Sequence, residues 1–513
     1  MKTRGLFLSA LMMGAVMAGC SNEEVLNDDF QKPDGNEYYM AVNIFTSGVN
    51  SRAADDFVAA TDVEVEVKNA VFYFLDEKGN SCAEPYMHSQ ALSLSASNHH
   101  EDSDDREGTP IIVMKNPTTN PSSIVTLLNV PEGFAYNSYK NLAALQAISG
   151  DYRNYANGFV MSNSVYVDGE EVVIGAPVTE NHIYKTREEL EVGMVNNSAV
   201  AVPIHVERVL AKVVVEDYVG ENISDNEVNL NGEGNTAINV TINGWWLNDA
   251  KDKSYMVKSL EPESYIGTWW NDVANLRSYW AESYGAAGFL GGSWSSNVDD
   301  VIYCHENTST NPTQLVVAAT LSVGNDEATT LVRWRNTYYT EDGFKDAFLN
   351  NFLSAHKYYY QEGEGEYVTI TKDMLSFAYN TNDTKVTTHD YEAIVTLNTT
   401  EQLYTISGTT ATPVNASEVE EKLEGYATVK LWNGGKTYYY LPIAHLAESG
   451  ANAVVRNHVY QMNLNSVAGL GTPVPNPDKV IIPEKVEDDE LSYIAASVYV
   501  LKWKLVENNV NLK

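Results

Sequence analysis

The sequence predicts an all-β chain of antiparallel sandwiches with few short helices. Three observations carry this. Short runs rich in β-branched and aromatic residues recur, Asn/Gly turns separate them, and helical periodicity is confined to two short stretches. Residues 63–67 alternate Val and Glu and predict a strand, continued by the apolar run 70–75. Residues 76–80, with Asp76, Gly79 and Asn80, predict a turn. Runs 123–129, 209–215, 237–243, 315–321, 427–432 and 436–441 repeat the strand pattern. The helical stretches are 139–148 and 341–353.

Between these lie segments of other character. Residues 97–108 are polar and acidic, which predicts an exposed loop. Residues 245–294 are rich in Trp, Tyr and Gly. Residues 471–490 carry Pro473, Pro475, Pro477 and Pro483 before an acidic run, the composition of an extended linker. Strand pattern returns at 491–512.

The chain has 513 residues, enough for two or three domains. Its net charge of −36 opposes nucleic acid, whose phosphates it would repel, and opposes docking on anionic lipid. The three cysteines, Cys20, Cys82 and Cys304, form no disulfide framework, and the last two read as separate buried thiols. Lys2 and Arg4 precede an apolar stretch, 5–18, that ends in the small residues Ala18 and Gly19 before Cys20. A stretch this short behind a basic start is a secretory signal, since a membrane span needs about 20 apolar residues. Small residues let a signal peptidase bind the extended chain, and the Cys20 thiol is the natural lipid acceptor. Met17 stands where a Leu is usual.

Two amphipathic segments stand out. Tyr38, Met40, Val42 and Ile44 form one large apolar face at period two, and Tyr499, Leu501, Trp503 and Leu505 form another. A small polar loop with the single basic residue Arg52 follows the first, and suits a trypsin-like protease. Cutting between Arg52 and Ala53 removes Cys20 and the first segment together. A sandwich that loses a strand exposes a groove, and the tail of another copy can fill it by strand addition. The residues alone equally allow the tail to be the last strand of its own sandwich.

Other candidates are weaker. His99 and His100 beside Glu101, Asp102, Asp104 and Asp105 read as a solvated loop, because adjacent histidines point apart on most backbones. Cys304, His305 and Glu306 read as a strand end, because adjacency in sequence does not converge a nucleophile on its base. No phosphate loop or metalloprotease pattern occurs, so neither catalytic residues nor a metal or cofactor are expected. The aromatics between Trp245 and Tyr303 offer a second reading, a monomeric surface lipoprotein that stacks on glycans.

The chain also resembles a family. Val206–Val213, the stretch from Asn243 to Leu247, the stretch from Tyr303 to Asn307, and above all residues 454–460 followed by a Pro-rich spacer and the Trp-bearing run 498–505 resemble the shaft subunits of type V pili, the lipoprotein fimbrillins of Gram-negative anaerobes. The resemblance implies two tandem transthyretin-like β-sandwiches. In this chain that means a signal peptide (1–19), a lipidated propeptide with a removable strand (20–52), sandwiches at 53–204 and 205–470, a linker (471–490) and a donor strand (491–513). It implies a palmitate-type lipid on Cys20, a precursor held in the outer membrane by that lipid, and an Arg-specific protease acting after Arg52. It further implies homopolymerisation by strand exchange into a surface fimbria for adhesion and biofilm, with accessory anchor and tip subunits as partners. An anchor or tip role for this chain is the family's other option.

Arg52→Ala is therefore expected to leave lipidated, unpolymerised precursor, whereas the native chain yields a mature N-terminus at Ala53. N-terminal sequencing of surface-shed material checks this; normal filaments with an intact N-terminus in the variant would refute it.

Overall fold

The computed structural model describes residues 37–46, 57–59, 61–92, 110–168, 171–216, 226–258, 288–290, 301–307, 311–379, 392–426, 428–446, 451–478 and 493–504. The all-β class holds: strands dominate and the helices are few and short.

The first unit begins with β1 (Glu37–Thr46). The chain then passes through β2 (Phe57–Ala59), which pairs elsewhere, and helix α1 (Asp62–Val65). Strands β3 (Ile111–Lys115) and β4 (Val202–Arg208) flank β1 on either side. Beyond β4 the eight-stranded sheet continues through Met161–Asn163, Ser123–Leu128, Ala70–Leu75 and Tyr86–His88, with Ala176–Pro177 beside Ser123–Leu128. Every residue of Ala70–Leu75 is buried, as its unbroken apolar run demands.

The second unit is a sandwich of two sheets. One has the order β6–β5–β7–β8–β2, with β5 (Leu210–Glu216), β6 (Val301–His305), β7 (His458–Ala468) and β8 (Tyr493–Lys504). The other comprises Asn226–Asn229, Asn235–Ala250, Gln314–Val323, Lys436–Pro442 and Thr472–Pro473, with Gly288–Leu290 beside the long strand. Alternate residues from both meet in one core: Ala211, Val213, Tyr460 and Met462 from the first, Val240, Leu247, Val317 and Ala319 from the second. The opposite face of the first sheet turns towards the first unit, where Leu210 and Val459 join that unit's core.

A third core is built from residues that fall in the sequence between strands Gln314–Val323 and Lys436–Pro442, which are themselves hydrogen-bonded neighbours. Residues 331–432 thus leave one strand of the second unit and return to the strand beside it. They form a five-stranded and a four-stranded sheet, with helices α2 (Glu341–Ala355) and α3 (Ala416–Glu424). In α2, Phe344, Phe348 and Phe352 recur every four residues and are fully buried on one face. Thr340 caps it by accepting from the Gly343 N–H, and Glu341 and Asp342 complement the dipole.

One element departs from its pattern. The alternating run at 63–67 predicts a strand, yet Asp62–Val65 is a helical turn. A capping box decides it: Thr61 receives the Glu64 backbone N–H, and the Glu64 carboxylate receives the Thr61 N–H. Glu64 is then buried rather than exposed.

Phe348→Ala is expected to cost the third unit roughly 3–5 kcal/mol through lost burial and a cavity. Hydrogen exchange should accelerate across 331–432 while the amides of β1 stay protected; equal acceleration in β1 would show that the units unfold together.

Candidate functional site

β1 is held along both edges. Glu37–Ala41 pair antiparallel with β3, Met40 opposite Ile112, and Val42–Thr46 pair parallel with β4, Val42 opposite Val202. Tyr39 exchanges two further backbone hydrogen bonds with Tyr184, each 2.9 Å. Tyr38, Met40, Val42 and Ile44 all point into the first core, and Met40 and Val42 are wholly inaccessible. The period-two pattern puts them on one face, and the core takes that face.

The closing strand β8 carries Tyr499, Leu501 and Trp503. It pairs antiparallel with β7 of its own chain, Leu501 opposite Val459 and Tyr499 opposite Gln461, and parallel with β2, Trp503 opposite Val58. The proline-rich composition of 471–490 predicts a tail held off its own domain, and here the structure differs. Prolines stiffen a linker but do not prevent its reversal, and β7 offers an edge of unpaired N–H and C=O groups to the nearest strand. Cys20, Arg52, Ala53, Leu505 and the pair His99 and His100 lie outside the described residues.

Two buried polar networks join the first and second units. In one, Glu64 Oε1 accepts from the Tyr303 hydroxyl at 2.6 Å and Lys212 Nζ at 2.9 Å, while Oε2 accepts from the Thr61 N–H at 2.7 Å. Burial alone would raise this carboxyl; the three donors outweigh it and hold it below the usual range. Arg208 donates to the Glu64 carbonyl and to Asn457 Oδ1. Burial pushes its guanidinium down to about 10, so it stays charged at neutral pH. Asn457 adopts φ 57°, a left-handed position that Asn tolerates.

In the other network, Arg456 and Glu306 are fully buried and ion-paired. Arg456 also donates to the carbonyls of Tyr255 and Met256. The Tyr460 hydroxyl takes the Val455 N–H at 2.7 Å and meets His445 Nδ1 at 2.9 Å. Residues 454–460 are thus the inter-unit lock. Sequence reasoning singled them out as a motif but not for this role, because the ionic partners lie far away in the chain.

Cys304 and His305 do not form a catalytic pair. Burial pushes the Cys304 thiol up to about 12, and it packs in the second core. His305 uses Nδ1 to reach the Lys251 carbonyl and Nε2 to accept the Tyr152 N–H. Burial pushes its imidazole down to about 4, so it is neutral at pH 7 and its 3.7 Å approach to Asp151 is no ion pair. Cys82 and Cys304 are separate, buried and free. Among the described residues no cluster of metal-binding side chains occurs, and no helix is long and apolar enough to cross a membrane.

Residues 430–509 match the family profile of the major fimbrial subunit protein type IV, fimbrillin, C-terminal. This C-terminal region, and not the whole chain, is similar to the fimbrillin family. The matched residues contain the lock, β7 and β8. Similar solved structures include a candidate cell adhesion protein from Parabacteroides distasonis ATCC 8503, at 15% identity and TM-score 0.39, covering 91% of this chain and 97% of that one. A fimbrilin from Porphyromonas gingivalis W83 has 13% identity and TM-score 0.37, covering 91% and 98%. The tip fimbrial protein Mfa3 from Porphyromonas gingivalis has 12% identity and TM-score 0.33, covering 91% and 100%. A search of curated proteins finds no match.

His305 links the junction to pH. The unfolded imidazole binds a proton near 6.5, the folded one only near about 4. The stabilisation is complete above the unfolded value and is lost as pH falls through that window, by up to about 3 kcal/mol. The Glu64 carboxylate adds a loss of the same sign at lower pH, as it protonates. Denaturant midpoints between pH 7 and 4 should fall, and His305→Gln should flatten that slope; an unchanged slope would show that other groups carry it.

Proposed function

We propose that this chain is the structural shaft subunit of a surface fimbria, exported as a lipoprotein through Cys20, cut after Arg52, and polymerised when its closing strand replaces β1 of a neighbour. One observation carries the reading: β1 is paired on both edges and buries a four-residue apolar face, yet it immediately precedes the Arg52 loop. Its removal would leave β3 and β4 with free edges over a cleft lined by the first core. Residues 493–504 are long enough to replace Glu37–Thr46 and carry an apolar face of the same period.

The magnitudes support exchange. Four large side chains at about 1.5–3 kcal/mol each give roughly 6–12 kcal/mol. Ladder hydrogen bonds with β3 and β4 replace those given up with β7, so that term nearly cancels. What drives the exchange is the burial waiting in the emptied cleft. Cutting at Arg52 also frees β2 from β1, and β2 is the other neighbour of β8. A terminating subunit needs one joint only; this chain carries both a removable strand and a donor.

For the glycan reading, Trp245 and Trp246 offer no platform, because they are buried on opposite faces of one strand; Trp269, Trp270, Trp280 and Trp294 lie outside the described residues. Deleting residues 491–513 is expected to give a folded, exported subunit without ladders on a gel. Trp503→Asp should do nearly the same, by placing a charge in an apolar cleft at a cost of several kcal/mol. Undiminished filaments in the deletion strain would mean that another surface makes the joint.

A further inference from the structure

Glu207, at the end of β4, and Lys258, in the segment that packs beneath Arg456, are each 1% exposed, and Nζ lies 2.5 Å from Oε2. The neighbouring Glu64 is a well-made buried carboxylate, with directed donors on both oxygens. Glu207 is not. Its Oε1 takes the Ser164 hydroxyl at 2.8 Å, whereas Oε2 is met by the ion-pair contact with Nζ and has no further donor directed at it. A buried ion pair with such geometry recovers little of its desolvation cost.

We propose that Lys258 Nζ and the Glu207 side-chain carboxyl condense to an amide, a covalent staple between the two units. A proton first passes from the ammonium to Oε2, giving amine and acid. The amine attacks Cδ, and the charge that develops on Oε1 is held by the Ser164 hydroxyl. A second proton passes from nitrogen to Oε2, the C–Oε2 bond breaks, and one water leaves. No oxidant or other reactant is needed. Burial, with the Arg456 charge nearby, favours the neutral amine that must attack. Condensation removes two buried charges and leaves the Glu306–Arg456 pair balanced. The staple closes a loop around Val209, where the chain itself passes from the first unit to the second. Tension between the units would then be borne by two covalent paths.

The test is a tryptic digest of the purified, denatured full chain. A free Lys258 gives separate peptides 254–258 and 259–277. The staple instead blocks that cut and gives one branched product, 188–208 joined to 254–277, lighter than its parts by one water. Lys258→Arg keeps a cation beside Glu207 but cannot form this amide, so the branched product should vanish while circular dichroism is unchanged. Recovery of 254–258 and 259–277 alone from the native chain would overturn the proposal, and so would a branched product that survives in Lys258→Arg. Should the variant not fold, the native digest decides by itself.

Discussion

The double pairing of β1 is the constraint on which the rest depends. A strand at a sheet edge can leave at the cost of one ladder. A strand bonded on both sides, with its face in the core, can leave only if another strand takes its place or the unit loses its closure. Met40 and Val42 are fully enclosed by residues that come later in the chain. The first unit is therefore complete with β1 and incomplete without it. The pairing also divides β1 between two partners of opposite sense, antiparallel to β3 and parallel to β4, so a replacement must satisfy both ladders in a single register.

β4 connects that cleft to the remainder of the molecule. It pairs with β1, and after Val209 the chain becomes β5, which pairs with β7, the strand that holds the tail. The outer face of the β5–β7 sheet rests on the first core, and the ionic groups of Glu64, Arg208, Glu306 and Arg456 are sealed there. Buried ion pairs contribute little net stability, but they fix geometry, because any shift would strand a charge. The orientation of the cleft relative to the tail is set in this way. The third core, by contrast, belongs to a segment that returns to the strand beside the one it left, and it contains none of the residues of the polar networks.

The sequence by itself determined the all-β class, the amphipathic faces of β1 and of the closing strand, and helix α2 with its Phe344–Phe348–Phe352 stripe. Each is written in a local period, two for strands and 3.6 for helices, that burial on one face must obey. It also marked residues 454–460 without giving their purpose. The capping box that turns Glu64 out of a strand is local, but only the tertiary structure decided that its carboxylate is buried, since the partners that receive it, Lys212 and Tyr303, lie far along the chain. The same holds for the partners of β1, for the separate core at 331–432, and for the docking of β8 on β7. Strand pairing is made by backbone groups that every residue carries, so the sequence specifies which face is buried but not which edge is met.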